Sequence, residues 1–229
     1  MIVAANFKMN KTRKETEEYL KELKKLNFEG VKVAVFPPFT ALMEDELIGA
    51  QNAYAAKNGA YTGEIGLEQL NEFNIKKVLL GHSERRHILN ESQEFIAKKF
   101  SFYKEHGFEI YYCVGEPLEV RKKGIDAVMD YIKAQFDGID LEYEKLIVAY
   151  EPVWAIGTGV SATVEEIKET HEKIRKLTKR PILYGGSVKL NNIEEILKIP
   201  NVEGVLVGSA SLDVEVFKEM INKAKEIKK

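Results

Sequence analysis

The sequence has little cysteine, little net charge and no long apolar run, and each shortage excludes a class of protein. The single cysteine, Cys113, excludes an internal disulfide framework and fits a reducing compartment. A formal net charge of −2 over 229 residues gives no sign of nucleic-acid binding. No window is long and apolar enough to span a membrane, and the apolar start of the chain ends too early for a leader peptide. We therefore expect a cytoplasmic globular protein without nucleic-acid or membrane partners.

Residues that bind metals and cofactors are sparse or poorly spaced. The four histidines show no His-x₃-His spacing and the chain has no cysteine pair, so we predict no metal site. Residues Gly157–Ala162 match the dinucleotide fingerprint G-x-G-x-x-A. However, Pro152–Ile156 separate them from the preceding strand, and Lys179–Pro181 stand where an acidic residue should follow. We therefore disfavour a nicotinamide cofactor and predict that no cofactor is needed.

Short apolar runs alternate with amphipathic stretches along the whole chain. Eight runs rich in Val, Ile and Ala read as parallel strands covered on both faces: Ile2–Phe7, Val31–Phe36, Ala50–Tyr54, Lys77–Leu80, Glu109–Cys113, Leu146–Tyr150, Pro181–Tyr184 and Gly204–Val207. Each is followed by a helical or helix-like stretch. Eight such units without a linker predict a (β/α)₈ barrel that forms a single domain over residues 1–229. The alternative is an open doubly wound sheet.

Helix signals support this reading of the intervening segments. Thr12 with Glu15, and Thr163 with Glu166, have the spacing of capping boxes. Apolar stripes follow at helical spacing, for example Phe217, Met220, Ile221, Ala224 and Ile227.

In a barrel, chemistry belongs at the carboxyl ends of the strands, and ionisable residues stand at three of these ends. Alternation places Asn6 and Lys8 on one face, where a lysine suits an anionic substrate. His82 follows Leu80 and comes before a short helix whose N–H groups would favour a neutral ring. Glu151 ends another strand and is a candidate base. Each residue taken alone also fits a structural role.

The stretch after Glu151 is apolar, although surface loops are usually polar. It begins with Pro152, which cannot extend the strand, and ends with Gly157 and Gly159. A carboxylate at the root of an apolar loop predicts a lid over a reaction site. Gly/Ser turns at Gly185–Ser187 and Gly208–Ser209 follow the last two predicted strands, which favours a phosphate site there.

Four segments resemble the triosephosphate isomerase family closely. They are Asn6–Asn10, Gly81–Arg86, Tyr150–Gly159 and Tyr184–Ser187, and the resemblance extends in the same order from Asn6 to about Leu212. It implies a TIM barrel and an isomerase of glycolysis and gluconeogenesis. Such an enzyme interconverts dihydroxyacetone phosphate and D-glyceraldehyde 3-phosphate through an enediolate.

The resemblance also implies a role for each matching residue. Glu151 would be the base, His82 a neutral donor to the carbonyl, and Lys8 and Asn6 would stabilise the developing charge. Substrate would be bound by Asn6, Lys8, Gly157, Ser187, Gly208 and Ser209, and backbone groups of the last four would hold its phosphate. Around them, Glu84 would pair with Lys8, Glu116 would hold Trp154, Tyr184 and Ser187 would latch the lid, and Cys113 would be a structural residue beside the base.

The segment Gln51–Glu64 resembles the family's dimer loop, so a homodimer is implied. Thr62 would approach Asn6 and Lys8 of the partner subunit. Two positions depart from the family pattern: Ser209 replaces a usual glycine, and Val160 replaces a usual lysine.

Two other functions stay open on the residues alone. The first is a Schiff-base aldolase using Lys8, which a glutamate rather than a lysine at residue 151 disfavours. The second is a non-catalytic phosphate-binding protein, which the joint presence of Asn6, Lys8, His82 and Glu151 disfavours.

Overall fold

Seven parallel strands form one sheet in the computed structural model, which describes residues 1–156 and 161–227. The strands are β1 (Ile2–Asn6), β2 (Lys32–Phe36), β3 (Lys77–Leu80), β4 (Glu109–Val114), β5 (Leu146–Tyr150), β6 (Ile182–Tyr184) and β7 (Gly204–Val207). Their order is β2-β1-β7-β6-β5-β4-β3. All neighbours pair in parallel, as short apolar strands covered on both faces are expected to do.

The predicted strand Ala50–Tyr54 is wrong, although a chain segment does occupy its place in the barrel. Two isolated parallel bridges, Val35 with Ile48 and Ala50 with Val78, join β2 and β3 through residues 47–50. A few backbone hydrogen bonds join this segment to both strands: Gly49 N donates to Val35 O at 2.9 Å, and Leu79 N donates to Ala50 O at 2.8 Å. This short segment closes the sheet into a barrel, so the predicted (β/α)₈ fold is confirmed and the open sheet is excluded.

Strand alternation separates two apolar layers. Side chains of one parity, including Ile2, Ala4, Ile147 and Ala149, form the cluster inside the barrel. Side chains of the other parity, including Val3 and its neighbours on every strand, pack against the helices in a larger cluster. Asn6 and Glu151 continue the inner parity beyond the apolar residues, so they reach the mouth of the barrel, as predicted.

Nine α-helices are described, and most of them cover the outside of the sheet. They are α1 (Arg13–Leu23), α2 (Leu67–Glu72), α3 (Ser83–His87), α4 (Gln93–Glu105), α5 (Leu118–Arg121), α6 (Ile125–Ala134), α7 (Val164–Arg175), α8 (Ile193–Lys198) and α9 (Val214–Glu226). Both predicted capping boxes are present, at Thr12 and at Thr163. Within the described residues, no helix has the length and apolar character required to cross a membrane.

Ion pairs occupy the amino ends of the strands. Lys32 at the start of β2 pairs with Glu109 at the start of β4, and Arg175 pairs with Glu203 just before β7. The polar groups that could meet a substrate lie instead at the carboxyl ends, where the barrel rule places the reaction site.

Candidate active site

The carboxyl ends of the strands surround a cavity of about 290 Å³, which we call the site cavity. It brings together residues predicted from separate strand ends. Its lining includes Asn6, Lys8, His82, Glu151, Ser187, Gly208 and Ser209. The remaining predicted site residue, Gly157, lies outside the described residues.

Glu151 and His82 contact each other on the wall of this cavity. Oε1 of Glu151 lies 3.1 Å from Nε2 of His82, and Oε2 accepts a hydrogen bond from Ser83 N at 3.3 Å. Both side chains are almost completely buried. A buried carboxylate beside an imidazole can exchange protons with a bound molecule while water is excluded. The Ser83 amide was not predicted, because nothing in the sequence shows which N–H a carboxylate will meet.

The ring of His82 is held at the start of helix α3. Glu84 N donates to Nδ1 at 3.3 Å, which favours the tautomer with its proton on Nε2. Burial lowers the pKa of His82, but the charge and hydrogen bond of Glu151 and the charge of Glu84 together outweigh it, and the net pKa lies above its usual value. The expected helix N-terminus is therefore present, but Glu151 opposes its effect on the ring.

Lys8 enters the cavity from a strained backbone. Its φ of 51° is in the left-handed region, which costs a residue other than glycine free energy. Two hydrogen bonds hold it there: Lys8 N donates to Asn6 Oδ1 at 2.9 Å, and Gln51 Nε2 donates to Lys8 O at 2.7 Å. Gln51 also donates to Phe36 O, so it ties the end of β2 to this turn. The sequence gives no signal for this role of Gln51.

The Lys8 ammonium has one carboxylate partner at the cavity edge. Its Nζ lies 2.8 Å from Glu84 Oε1, so the contact predicted between these residues is present. The lysine side chain remains 28% exposed. It can therefore reorient toward an anion in the cavity, with Glu84 restricting its positions.

The two Gly/Ser turns follow β6 and β7 and line the same cavity. Gly208 begins a 3₁₀ turn over Ser209–Leu212, and the Ser211 hydroxyl donates to Gly208 O at 2.7 Å. Ser187 O accepts a hydrogen bond from Asn192 Nδ2 at 3.0 Å. With their carbonyls bonded away from the cavity, these turns can present N–H groups to an anion. Ser209 keeps such an N–H where the family usually has glycine.

The root of the predicted lid is anchored to β4. Trp154 lies in a 3₁₀ turn over Val153–Ala155, and its Nε1 donates to Glu116 Oε1 at 3.1 Å, as predicted. The Tyr150 hydroxyl donates to the same oxygen at 3.1 Å. Burial raises the pKa of Glu116, and these hydrogen bonds act against that rise.

Cys113 lies inside the barrel beside Glu151. It is completely buried, and burial raises the pKa of its thiol well above the usual value. A thiol in this state is a poor nucleophile, in line with the expected structural role. Among residues 1–156 and 161–227, no group of three His, Cys, Asp or Glu side chains could hold a metal ion.

Fold and site together define a class: (β/α)₈-barrel proteins with an acid–base pair and a lysine at the carboxyl ends of the strands. The particular family follows from comparison with known sequences. A model of the triosephosphate isomerase family matches residues 1–224, and the chain belongs to this family. It is therefore an isomerase.

Curated relatives match along almost their entire length. A triosephosphate isomerase of a Nitratiruptor species is 58% identical, with 100% of each chain covered. That of a Sulfurovum species is 61% identical, covering 96% of this chain and 99% of the relative. That of Helicobacter hepaticus is 53% identical, covering 98% of this chain and 99% of the relative.

Proposed function

We propose that this chain interconverts dihydroxyacetone phosphate and D-glyceraldehyde 3-phosphate, a step of glycolysis and gluconeogenesis, with Glu151 as the base. The contact that supports this best is the 3.1 Å pair of Glu151 and His82 within the site cavity. Proton abstraction beside a carbonyl needs a base at carbon and a donor at oxygen. These two side chains supply both, since they face the same cavity.

The reaction requires two proton movements. Glu151 removes a proton from the carbon next to the carbonyl, while Nε2–H of His82 donates toward the carbonyl oxygen, and an enediolate forms. The proton on Glu151 then returns to the neighbouring carbon, and His82 moves a proton between the two oxygens. The Lys8 ammonium and the Asn6 side chain stabilise the negative charge that develops.

Substrate phosphate is held at the two Gly/Ser turns. Backbone N–H groups at Ser187, Gly208 and Ser209 suit a phosphate because they line the cavity and can donate hydrogen bonds to phosphate oxygens. Gly157 joins them in this proposal on the family resemblance alone. The lid predicted over Pro152–Gly159, of which residues 157–159 lie outside the described residues, would cover the bound enediolate, which otherwise loses phosphate in water.

We also propose that the chain is a homodimer joined through residues 51–64, and that residues 1–229 act as one cytoplasmic domain. Large apolar side chains near this loop support the dimer, since Met9 is 94% exposed and Ile88 is 70% exposed. The loop begins beside the turn of Met9 and beside helix α4, since Gln51 donates to Lys8 O at 2.7 Å and Asn52 accepts from Lys99 at 3.1 Å. The single buried cysteine supports the cytoplasmic location.

The test is a coupled isomerase assay together with deuterium exchange at the substrate carbon. Wild type is expected to interconvert the two trioses and to exchange the carbon-bound proton. Glu151→Gln keeps the shape but removes the base, so kcat should fall by about 10²–10⁴-fold. Glu18→Gln, on the exposed face of α1, is the control and should leave kcat unchanged.

Two results would contradict the proposal. A Glu151→Gln variant with near-normal kcat would remove Glu151 as the base. Wild type that traps substrate on Lys8 with borohydride, or binds it without exchange, would favour the aldolase or the non-catalytic function instead.

A further inference from the structure

The loop that follows Glu151 has two described ends, and one arginine outside the loop contacts Trp154 at the first end and reaches the second end through Glu166. The first end, residues 152–156, carries Trp154. The second end, residues 161–163, leads into the N-cap Thr163 of α7. Arg121, the last residue of α5, lies between these ends with its side chain only 11% exposed.

At the first end, Arg121 acts on Glu116 and on Trp154. Its Nη1 lies 3.9 Å from Oε1 of the fully buried Glu116, the oxygen that accepts from Trp154 Nε1. Its guanidinium carbon is 6.0 Å from the centre of the Trp154 ring, within range of a cation–π interaction. The backbone of Glu116 also holds the loop, because Val153 N donates to Glu116 O at 3.0 Å.

At the second end, Arg121 acts on the start of α7. Its Nε lies 3.6 Å from Glu166 Oε1, and its Nη1 donates to Thr170 Oγ1 at 3.2 Å. The other oxygen of Glu166 accepts from Thr163 N at 2.8 Å and from its hydroxyl at 3.1 Å. The carboxylate that caps α7 is therefore the carboxylate that pairs with Arg121.

Separate ion pairs at these distances would stabilise little on an exposed surface. Here the cation is largely buried, and a planar guanidinium can meet several partners at once, which the point charge of a lysine cannot. Glu151 stands directly before this network, since its N–H donates to Val114 O at 2.7 Å and Val153 follows two residues later. A displacement of Trp154 and Glu116 would therefore also move the carboxylate of Glu151, because only Pro152 and Val153 separate Glu151 from Trp154.

We propose that Arg121 is a positioning residue for the isomerase reaction, because its guanidinium joins the two ends of the loop and so sets the placement of Glu151 together with the start of α7. This inference rests on the proposed function, in which Glu151 is the base. Arg121 does not line the site cavity, so it acts through Glu116, Trp154 and Glu166.

The test uses four variants of the full chain: Arg121→Met, Arg121→Lys, Glu166→Gln and the pair Arg121→Met/Glu166→Gln. Arg121→Met should lower kcat by about tenfold, which corresponds to about 1.36 kcal/mol, with KM changed less than about twofold. The kcat of Arg121→Lys should lie between those of wild type and Arg121→Met, since lysine keeps the positive charge but lacks the several N–H donors of the planar guanidinium. Arg180→Met is the matched control, because Arg180 is partly buried at the amino end of β6.

Glu166→Gln allows Trp154 fluorescence to separate a positioning role of Arg121 from a purely structural one. Glutamine at this position still completes a capping box, so α7 should stay intact. Trp154 is the only tryptophan of the chain, so its fluorescence reports on the first end of the loop. Glu166→Gln is expected to shift Trp154 emission relative to wild type. The same substitution in the Arg121→Met background should leave the emission equal to that of Arg121→Met alone, which is the sign of coupling through Arg121.

Two outcomes would overturn the proposal. One is that Arg121→Met lowers only the melting temperature, as Arg180→Met can, with kcat and KM unchanged. The other is that Trp154 emission in Glu166→Gln equals that of wild type. The emission experiment needs no turnover, so it can fail or succeed independently of the isomerase assay on wild type, whose failure would refute the proposed function instead.

Discussion

At the scale of single residues, the pKa of His82 reflects burial and neighbouring carboxylates that act in opposite directions. Burial alone would keep the ring neutral, and the Glu84 amide at Nδ1 acts in the same direction. The carboxylates of Glu151 and Glu84 together reverse the balance. When Glu151 takes a proton from substrate, the influence of its charge ends, so the ring is expected to act as a neutral donor during the reaction.

This balance predicts that Glu151→Gln lowers the pKa of His82. The variant removes the negative charge and keeps both the burial and the Glu84 amide, so the influences that lower the pKa prevail. An NMR titration of the histidine ring signals in wild type and variant measures the difference. His87, whose pKa is lowered mainly by burial, is the internal control and should titrate identically in both proteins. An unchanged His82 pKa would contradict the prediction.

Single residues also show which properties the alternation of side chains along a strand can predict. Alternation correctly placed Asn6 and Glu151 on the inner face, because successive side chains along a strand point to opposite faces of the sheet. It could not predict the left-handed φ of Lys8, since that conformation is held by Gln51 from a distant turn.

At the scale of the elements, the ends of adjacent strands approach closely enough to require glycine at particular positions. Gly115 follows β4, and a Cβ there would overlap the carbonyl oxygen of Glu151. The Gln135 side chain bonds both sides of this glycine, with Gly115 N donating to Oε1 at 2.8 Å and Nε2 donating to Gly115 O at 3.1 Å. The backbone of Glu151 is therefore positioned by the end of the neighbouring strand.

Gly115→Ala is accordingly expected to reduce both stability and kcat, because the added methyl group displaces Glu151. Gly204→Ala is the matched variant: its Cβ would overlap the carbonyl oxygen of Ile2, at the amino end of the sheet. Both variants should lower the melting temperature, but only Gly115→Ala should lower kcat per folded molecule. Equal kcat in the two folded variants would show that Glu151 tolerates the displacement.

The incorrect third strand belongs to this scale too. The apolar start of Ala50–Tyr54 favoured a strand, yet the ladder ends at Ala50 and the side chain of Gln51 turns to Lys8 and Phe36. Gly49, just before this segment, leaves room for the ring of Phe36 inside the barrel. Hydrogen bonding to β2 and β3, rather than local β propensity, determined which residues of this segment join the sheet.

At the scale of the whole molecule, a buried ionic network links helix α3 to the predicted dimer loop, residues 51–64. Glu91 Oε1 lies 2.7 Å from Arg85 Nη2 and 2.6 Å from the buried Lys99 Nζ. Lys99 also donates to Asn52 and lies 4.2 Å from the centre of the Phe95 ring. Breaking a buried pair is costly, because the remaining charge is left without compensation.

This network predicts acid sensitivity of the fold. Burial raises the pKa of Glu91, but the hydrogen bonds and charges of Arg85 and Lys99 outweigh it, and the net pKa is lowered. A lowered folded pKa stabilises the protein fully above about pH 4.5 and loses that contribution as pH falls through the folded value. Urea unfolding should therefore show a smaller loss of stability on acidification in Glu91→Gln than in wild type. Equal losses would show that Glu91 contributes nothing to this pH dependence.

The proposed dimer is tested at the same scale. Sedimentation equilibrium of wild type should give twice the chain mass of 26.1 kDa. Ile88→Glu should weaken association, since it places a charge on an apolar surface that the partner would cover. Leu118→Glu, at another exposed apolar residue, should leave the mass unchanged. A wild type that sediments as a monomer would refute the dimer.

The sequence by itself determined the properties that depend on neighbours along the chain. These are the seven strands whose positions were predicted, the capping boxes and the inward face of Asn6, Lys8 and Glu151, because backbone periodicity and apolar spacing are local. The tertiary structure alone decided which groups meet: His82 with Glu151, Gln51 with Lys8, and Arg121 with Trp154 and Glu166. Those contacts join residues far apart in sequence, and only closure of the barrel brings them within bonding distance.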